Sequence, residues 1–318
     1  MYFLVFLLLF ACELLYFKIA DHYNIIDKPN ERSSHTKITL RGGGIIFYFG
    51  SLLFFVLSGF QYPYFFAALT LITIISFLDD IFTLSNKIRI VTHFASIFLL
   101  FQQVGILTQP IWVIILALIF CVGIINAYNF MDGINGITVS NSIAVLALLG
   151  VGNNRVTFVD QNLIVYAGIA ALVFGFFNFR QKAKCFAGDV GAVSMAFIIL
   201  FLLAKLIFVT GNYIYILFLA VYGIDAIWTI VQRLLKKENI FKAHRTHLYQ
   251  ILANENGSNP LLISGLYGLV QLGIGFIVIF LSQYSAQLQM FAAFILLLVG
   301  SFAYLQYKNK LMKKYHLK

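Results

Sequence analysis

The longest stretch of this chain without a charged side chain reads NGSNPLLISGLYGLVQLGIGFIVIFLSQYSAQLQMFAAFILLLVGSFAYLQY, over residues 256–307. A helix that crosses a bilayer needs about 20 predominantly apolar residues, so this stretch is far too long for one crossing. We divide it at the polar sequence SQYS, residues 282–285, into two predicted spans at 260–282 and 286–306. A soluble domain does not tolerate such a stretch, and the rest of the chain is therefore interpreted as membrane protein.

The composition of the whole chain agrees with a membrane location. Of its 318 residues, 61% are hydrophobic and 11% are charged, whereas about 25% are charged in an ordinary soluble domain. A single soluble globule could not bury that much apolar surface, which excludes an ordinary cytoplasmic enzyme. The 17% aromatic content excludes intrinsic disorder, and the three widely separated cysteines give neither a disulfide framework nor a thiolate metal site.

Eleven apolar segments are candidates for membrane spans. They lie near residues 1–20, 42–60, 62–78, 90–108, 110–128, 137–152, 161–179, 190–209, 212–232, 260–282 and 286–306. The first segment lacks a basic leader region and a cleavage site, so we expect it to be retained. We predict an all-α fold: a polytopic integral membrane helical bundle of about eleven transmembrane helices, with ten as the alternative, forming one domain over residues 1–318.

The distribution of lysine and arginine predicts the orientation. If the N-terminus lies outside, the loops and tail on the cytoplasmic side contain nineteen Lys and Arg residues, and the opposite side contains only Arg155. Basic residues accumulate in cytoplasmic loops, so we predict an N-out, C-in topology. The cytoplasmic loops are then those near 21–41, 79–89, 126–137, 178–191 and 233–259. This topology accounts for the net charge of +10, and we expect no nucleic-acid partner.

Several carboxylates converge on the cytoplasmic face. Asp79 and Asp80 end the third span, Asp132 follows the fifth, Asp189 precedes the eighth, and Asp225 lies toward the cytoplasmic end of the ninth. Carboxylates at a membrane boundary are costly, so a functional role is the default hypothesis, although any one of them alone is equally consistent with a helix cap. Together they offer the oxygen ligands that Mg²⁺ or Mn²⁺ prefers, whereas zinc would favour Cys and His.

Two polar segments could bind phosphate next to these carboxylates. The first, DKPNERSSHTKITLRGGGI over residues 27–45, places three glycines after the basic residues Arg32, His35, Lys37 and Arg41. Backbone amides at a helix start form an anion site with nearby cations, but close helix packing explains the glycines equally well. The second, AHRTHLYQ over residues 243–250, contains the candidate phosphate clamp His244, Arg245 and His247. These residues describe a metal–diphosphate site that a nucleotide and a lipid headgroup could reach from opposite sides.

The motifs in this order resemble the polyprenyl-phosphate N-acetylhexosamine-1-phosphate transferases, the bacterial glycosyltransferase family 4. They are D-x-P-N-x-R-S-S-H with R-G-G-G, then F-L-D-D, N-F-M-D-G-I-x-G, F-N…F-x-G-D-x-G and H-R-x-H-L-Y-Q, spread over residues 27–250. The last motif is closer to the O-antigen and capsule branch of the family than to the peptidoglycan enzyme.

The resemblance implies roles for individual residues. The implied metal ligands are Asp79, Asp80 and Asp189, and the implied catalytic residues are Asp79, Asp80, His244, Arg245 and His247. The residues expected to bind substrate are Arg32, His35, Arg41, Lys87, Asn129, Asp132, Gly133, Asn135, Asn178 and Phe186. Asn135 stands where the family more commonly has a second Asp, which removes one charge from the motif.

The activity that the resemblance implies is transfer of N-acetylhexosamine-1-phosphate from a UDP-sugar to undecaprenyl phosphate, with release of UMP. The donor would be UDP-GlcNAc or a related 6-deoxy amino sugar, the cofactor Mg²⁺ with Mn²⁺ as a substitute, and the location the bacterial cytoplasmic membrane among its lipids. Members of the family are often dimeric, which leaves a homodimer open. The alternative is an ion-coupled secondary transporter, but such folds commonly contain internal repeats, and we find none.

Overall fold

The computed structural model describes residues 1–29, 37–239 and 244–316, and the chain is almost entirely helical over these ranges. The helices are α1 Tyr2–His22, α2 Ile46–Leu57, α3 Pro63–Phe82, α4 Asn86–Val104, α5 Ile111–Met131, α6 Ile137–Arg155, α7 Gln161–Asn178, α8 Gly188–Thr210, α9 Ala220–Leu235, α10 Leu248–Gln250, α11 Pro260–Leu281 and α12 Ala286–Lys314. Short 3₁₀ turns precede α2 at Gly43–Ile45 and α9 at Tyr213–Leu219, and a π turn, Ile251–Glu255, follows α10.

Each of the eleven predicted spans overlaps one of these helices, and the ninth span, 212–232, also covers the 3₁₀ turn Tyr213–Leu219 before α9. Within the described residues, nine helices are long and apolar enough to cross a membrane, and the segment Gly43–Leu57 is a shorter apolar helix. Helix α4 falls outside the nine because Lys87, Arg89 and Gln102 occupy its two ends. The predicted polytopic helical bundle is confirmed, and the N-out, C-in orientation stays a prediction.

Helix α8 is the centre of the bundle. Every residue from Val190 to Leu203 is buried and, apart from Ser194, apolar, as expected of a helix surrounded by protein, and the helix packs against α2, α3, α4, α5 and α6. Helices α5 and α12, in contrast, leave most of their apolar side chains on the outer surface of the bundle, where lipid would cover them. The N-terminal end of α8 therefore has a fixed position among its neighbours.

Two short strands are the only sheet within the described residues. Strands β1 Ile26–Asp27 and β2 Thr39–Leu40 are antiparallel, with Ile26 opposite Leu40. Leu40 also forms a bridge to Cys185, which lies just before α8. This connection brings the segment after α1 to the loop between α7 and α8.

Candidate active site

A cavity of about 550 Å³ lies at the end of the bundle where α8 begins. Its walls come from residues 27, 37–39 and 41 in and beside the two strands, from the α5–α6 loop, from the α7–α8 loop, and from Gln250 and Pro260. Four of the five loops predicted to share one membrane face thus meet around one cavity. The fifth, 79–89, reaches the rim through its aspartates, as described below.

Eight residues predicted from sequence line this cavity. They are Arg41, Asn129, Asp132, Gly133, Asn135, Asn178, Phe186 and Asp189. The other predicted residues within the described ranges lie outside its lining: Asp79, Asp80, Lys87, His244, Arg245 and His247. Lys87 is exposed at the start of α4. Arg32 and His35 fall outside the residues that the structure describes, so their role in substrate binding stays a prediction.

The Asp80 carboxylate holds the N-terminus of α8. The backbone amides of Asp189 and Val190 donate to its two oxygens at 2.9 and 3.0 Å, and Arg41 Nε lies 2.7 Å from Oδ1. A carboxylate at this end of a helix satisfies amides that lack an intrahelical partner and opposes the positive end of the helix dipole. The Asp80 side chain is fully buried, so it connects α3 to α8 with both oxygens already engaged.

Asp189 is held more loosely, and part of its carboxylate is open to the cavity. Arg41 Nη2 lies 3.5 Å from Oδ1 and Arg89 Nη2 lies 3.7 Å from Oδ2, while 20% of the side chain is exposed. Arg89 also pairs with Asp79 at 3.2 Å, and Asp79 accepts a hydrogen bond from the amide of Leu84. We call Arg41, Asp79, Asp80, Arg89 and Asp189 the arginine–aspartate cluster; within it, Asp189 has the most capacity left for a ligand.

The donor atoms around the cavity suit a hard divalent cation. Within the described residues no three acidic, His or Cys side chains converge on one point, and Arg41 and Arg89 bridge the aspartates of the cluster. Mg²⁺, however, needs only one or two carboxylates, because waters and substrate phosphates complete its coordination. Asp132 and Asp189 both line the cavity. Burial, with the negative charge of Asp189 nearby, raises the pKa of Asp132 to about 6 despite a hydrogen bond from Thr138.

Two asparagines fasten the α5–α6 loop to the α7–α8 loop. Asn178 accepts a hydrogen bond from the amide of Gly136 at 2.8 Å and donates to the carbonyl of Cys185 at 2.9 Å. The Asn135 amide donates to the carbonyls of Arg180 and Gln181 at 2.8 and 3.3 Å. An Asp at position 135 could not donate these bonds. The departure from the usual motif therefore has a structural reason, since Asn135 closes one wall of the cavity.

The three glycines at 42–44 serve close packing. The amides of Gly43 and Gly44 donate to the carbonyls of residues 186 and 187, at 2.9 and 3.2 Å. A side chain on Gly44 would collide with the backbone of Gly191 in α8. Of the two interpretations of this motif, anion binding and helix packing, these bonds support packing, because the two amides are already engaged.

Residues 244–250, which we call the histidine segment, lie behind the cavity wall. The His247 ring is almost completely buried, its Nδ1 lies 3.0 Å from Asp225 Oδ1, and it stacks on His244 with ring centroids 5.1 Å apart. Burial and nearby positive groups lower the pKa of His244 to about 4, so its ring is neutral at pH 7. Arg245 lies 3.9 Å from Glu255. The sequence thus identified the segment, but not that Gln250 is its residue in the cavity lining.

Among the remaining lining residues, four with charged or amide side chains were not singled out from sequence. They are Asp27, Gln181, Lys182 and Gln250. Lys182 was counted only as one of the cytoplasmic basic residues, and Asp27 only as the first residue of a motif. Gln250 follows His247 by three positions, the spacing of a capping box, in which the third residue of a helix bonds back to the residue before the helix. This spacing was the available signal.

Comparison with known proteins gives a consistent result. The sequence model described as Glycosyl transferase family 4 matches residues 62–207, which include both halves of the Asp80–α8 contact. A probable undecaprenyl-phosphate N-acetylglucosaminyl 1-phosphate transferase from Bacillus subtilis (strain 168) is 27% identical over 88% of this chain and 84% of its own length.

Two further relatives extend the comparison. An undecaprenyl-phosphate alpha-N-acetylglucosaminyl 1-phosphate transferase from Yersinia pestis is 26% identical over 78% of this chain and 75% of its own. A phospho-N-acetylmuramoyl-pentapeptide-transferase from Streptococcus pneumoniae (strain Taiwan19F-14) is 40% identical, but over only 27% of this chain and 26% of its own. None of these matches supports the transporter alternative.

Proposed function

We propose that this chain, which matches the model described as Glycosyl transferase family 4 over residues 62–207, transfers N-acetylhexosamine-1-phosphate from a UDP-sugar to undecaprenyl phosphate and releases UMP. The relatives that match most of its length carry names for this class of reaction. The donor would be UDP-GlcNAc or a related 6-deoxy amino sugar. The product would be the lipid-linked first sugar of a cell-envelope polysaccharide.

The observation that carries this proposal is the mixture of charges at the cavity. Arg41, Lys37 and Lys182 supply cations, while Asp27, Asp132 and Asp189 supply carboxylates. A diphosphate alone would be repelled by the three carboxylates, and a bare metal ion by the three cations. A nucleotide diphosphate together with a divalent cation satisfies both sets of charges.

Phosphoryl transfer is catalysed mainly by positioning and by neutralisation of charge. In the proposed reaction Arg41 orients a diphosphate oxygen at the rim, and Asp80 keeps both Arg41 and the α8 N-terminus in place. Arg89, paired with Asp79 beside the cavity, attracts the phosphate of the lipid acceptor. That phosphate is already largely ionised at neutral pH, its second pKa being about 6, so a general base contributes little.

The proposed cofactor is Mg²⁺, with Mn²⁺ as a substitute, held by Asp189 together with Asp132. When bound, it would offset negative charge on the diphosphate and on the departing UMP. Asp79 and Asp80, the other ligands expected from the resemblance, are engaged with Arg89, Arg41 and backbone amides. They support the site rather than bind the ion in this arrangement.

We propose further that the cavity faces the cytoplasm, where UDP-sugars are made, in the bacterial inner membrane. This rests on the excess of Lys and Arg in the loops around the cavity. The chain is a multi-pass membrane protein by the length and composition of its helices, and the lipid acceptor would reach the cavity rim from the bilayer.

The test is a reaction of the purified chain with undecaprenyl phosphate, Mg²⁺ and a panel of UDP-sugars, scored for UMP and for the lipid product. We expect UMP release that depends on the lipid, stops with EDTA, and returns with Mg²⁺ or Mn²⁺. UMP release with no dependence on the lipid acceptor, or no release with any UDP-sugar, would contradict the proposal.

A further inference from the structure

A second group of polar side chains lies behind the histidine segment, outside the cavity. We call it the Asp225 cluster; its members are Asp225, Thr229, His247, Tyr267, Tyr304 and Lys308. Asp225 Oδ1 lies 3.0 Å from His247 Nδ1 and accepts a hydrogen bond from Tyr304 at 2.9 Å. Its Oδ2 accepts from Tyr267 at 2.7 Å. Four separate elements, α9, the histidine segment, α11 and α12, therefore meet at this one carboxylate.

Lys308 is the unexpected member of this cluster. Helix α12 exposes most of its length, yet the Lys308 side chain is fully buried. Its ammonium donates to Thr229 Oγ1 at 2.7 Å, and the Thr229 hydroxyl donates to Asp225 Oδ1 at 3.3 Å. Burying a cation is costly unless a partner compensates, and Lys310 on the same helix remains exposed. Anchoring of α12 in a bilayer requires no such buried ion.

Contacts connect this cluster to the cavity. The backbone amide of His247 donates to Gln250 Oε1 at 3.3 Å, and Gln250 is part of the cavity lining. Between them, Tyr249 donates to the carbonyl of Phe130 at 2.8 Å and packs against Gly133. With Nδ1 of His247 bonded to Asp225, the position of the whole segment His247–Gln250 is determined by the cluster.

We propose that Asp225, Tyr304 and Lys308 are positioning residues that hold Gln250 in the wall of the nucleotide-sugar site through His247. The last helix, α12, then contributes to substrate binding although none of its residues lines the cavity. The inference rests on the proposed function, since it assumes that the cavity binds the UDP-sugar.

The test compares KM and kcat for the UDP-sugar that the wild-type chain turns over fastest. Asp225→Asn is expected to raise KM about tenfold, and Tyr304→Phe and Lys308→Met about threefold each, with kcat changed less than about threefold. Gln250→Ala should raise KM about tenfold, and adding Asp225→Asn to it should raise KM by less than about twofold more, because coupled residues are not additive. A merely structural defect would lower the amount of active protein, hence the apparent kcat, and leave KM unchanged.

Tyr307→Phe and Lys310→Met are the matched controls, because both side chains are exposed on the same helix as Tyr304 and Lys308. Both should keep wild-type KM and kcat. An active wild type whose Asp225→Asn and Tyr304→Phe variants retain normal KM would overturn the positioning role, as would full additivity with Gln250→Ala. A wild type that releases no UMP with any UDP-sugar would instead overturn the proposed function, and this inference with it.

Discussion

The arginine–aspartate cluster and the Asp225 cluster each contain an aspartate, but the two carboxylates differ in burial and in hydrogen bonding. Asp189 meets two arginines at 3.5 and 3.7 Å and remains partly exposed. Asp225 is buried, and most of its donors lie within 3.0 Å. An unpaired buried carboxylate is costly, so Asp225 has to be fully hydrogen-bonded. Asp189 is not subject to that demand and can exchange water for a ligand.

The comparison shows that burial and existing partners, more than residue type, separate a binding carboxylate from a structural one. Asp80 combines the two situations, because it is buried and saturated but lies one hydrogen bond from Asp189. Substitutions should therefore lower turnover most at the partly exposed carboxylate of Asp189. The loss should be smaller where a change displaces Asp80, and smallest where it alters only a loop or the surface.

The largest effect is expected for Asp189→Asn. This change keeps the size of the side chain but removes the charge that would hold the divalent cation, and turnover should fall at least about 10³-fold, or about 4 kcal/mol of transition-state stabilisation. UMP release at saturating Mg²⁺ measures it. Asp21→Asn, at an exposed acid near the end of α1, is the control and should stay active. Near-normal turnover of Asp189→Asn would move the metal site to Asp79 and Asp80.

A smaller loss is expected for Gly188→Ala, which acts on the support of Asp189. Gly188 has φ +71°, and an added Cβ would lie 2.5 Å from Asp80 Oδ2, so the carboxylate would have to leave the α8 amides. We expect turnover to fall about 30-fold, or about 2 kcal/mol. Gly211→Ala places the same left-handed strain, φ +70°, at the other end of α8 in open space.

The two glycine variants separate backbone strain from displacement of Asp80. If strain alone lowered activity, both variants would lose it equally, and the proposed supporting role of Asp80 would be wrong. Thermal unfolding of both proteins in detergent measures the strain directly, since a left-handed conformation costs a non-glycine residue about 1 kcal/mol at each position.

Sequence predicted the helices and eight of the residues that line the cavity, for identifiable reasons. An apolar segment of about 20 residues can be recognised as a membrane span from the sequence alone. Asp132 and Asp189 could be selected because each stands next to a glycine in a recognisable motif. Sequence did not predict that Arg41 joins Asp80 to Asp189, because such contacts depend on how three distant segments pack. Nor did it predict that Asp225 is saturated, since its partner Tyr304 lies in a stretch without any motif.

A moderate effect is expected for Asn135→Asp, which introduces the residue that the resemblance described above would lead one to expect at this position. The carboxylate cannot donate to the carbonyls of residues 180 and 181 and would repel them. We expect about a tenfold fall in kcat/KM for the UDP-sugar, or about 1.4 kcal/mol. Asn154→Asp, at an exposed position at the end of α6, is the matched control. Unchanged kcat/KM in Asn135→Asp would show that the hydrogen bonds from Asn135 to residues 180 and 181 do not shape the cavity.

No effect on turnover is expected from the last test, which concerns orientation. Single cysteines at Asn154 and Lys236, both exposed, are introduced into a chain whose Cys12, Cys121 and Cys185 are replaced. A membrane-impermeant thiol reagent added from outside should label position 154 and spare position 236. Strong outside labelling at 236 would place both clusters on the opposite side from the proposed one.

The bond between Tyr304 and Asp225 also bears on how the protein is made. The two residues are 79 positions apart, so a ribosome that has completed α11 has released every residue of the arginine–aspartate cluster but not yet Tyr304 or Lys308. Until residues 304–308 have emerged and been inserted, the Asp225 carboxylate lacks two of its supports. The site is therefore complete only after α12 has been inserted. A chain truncated before α12 would leave the Asp225 carboxylate without these partners, and quality-control proteases would degrade the incompletely folded protein.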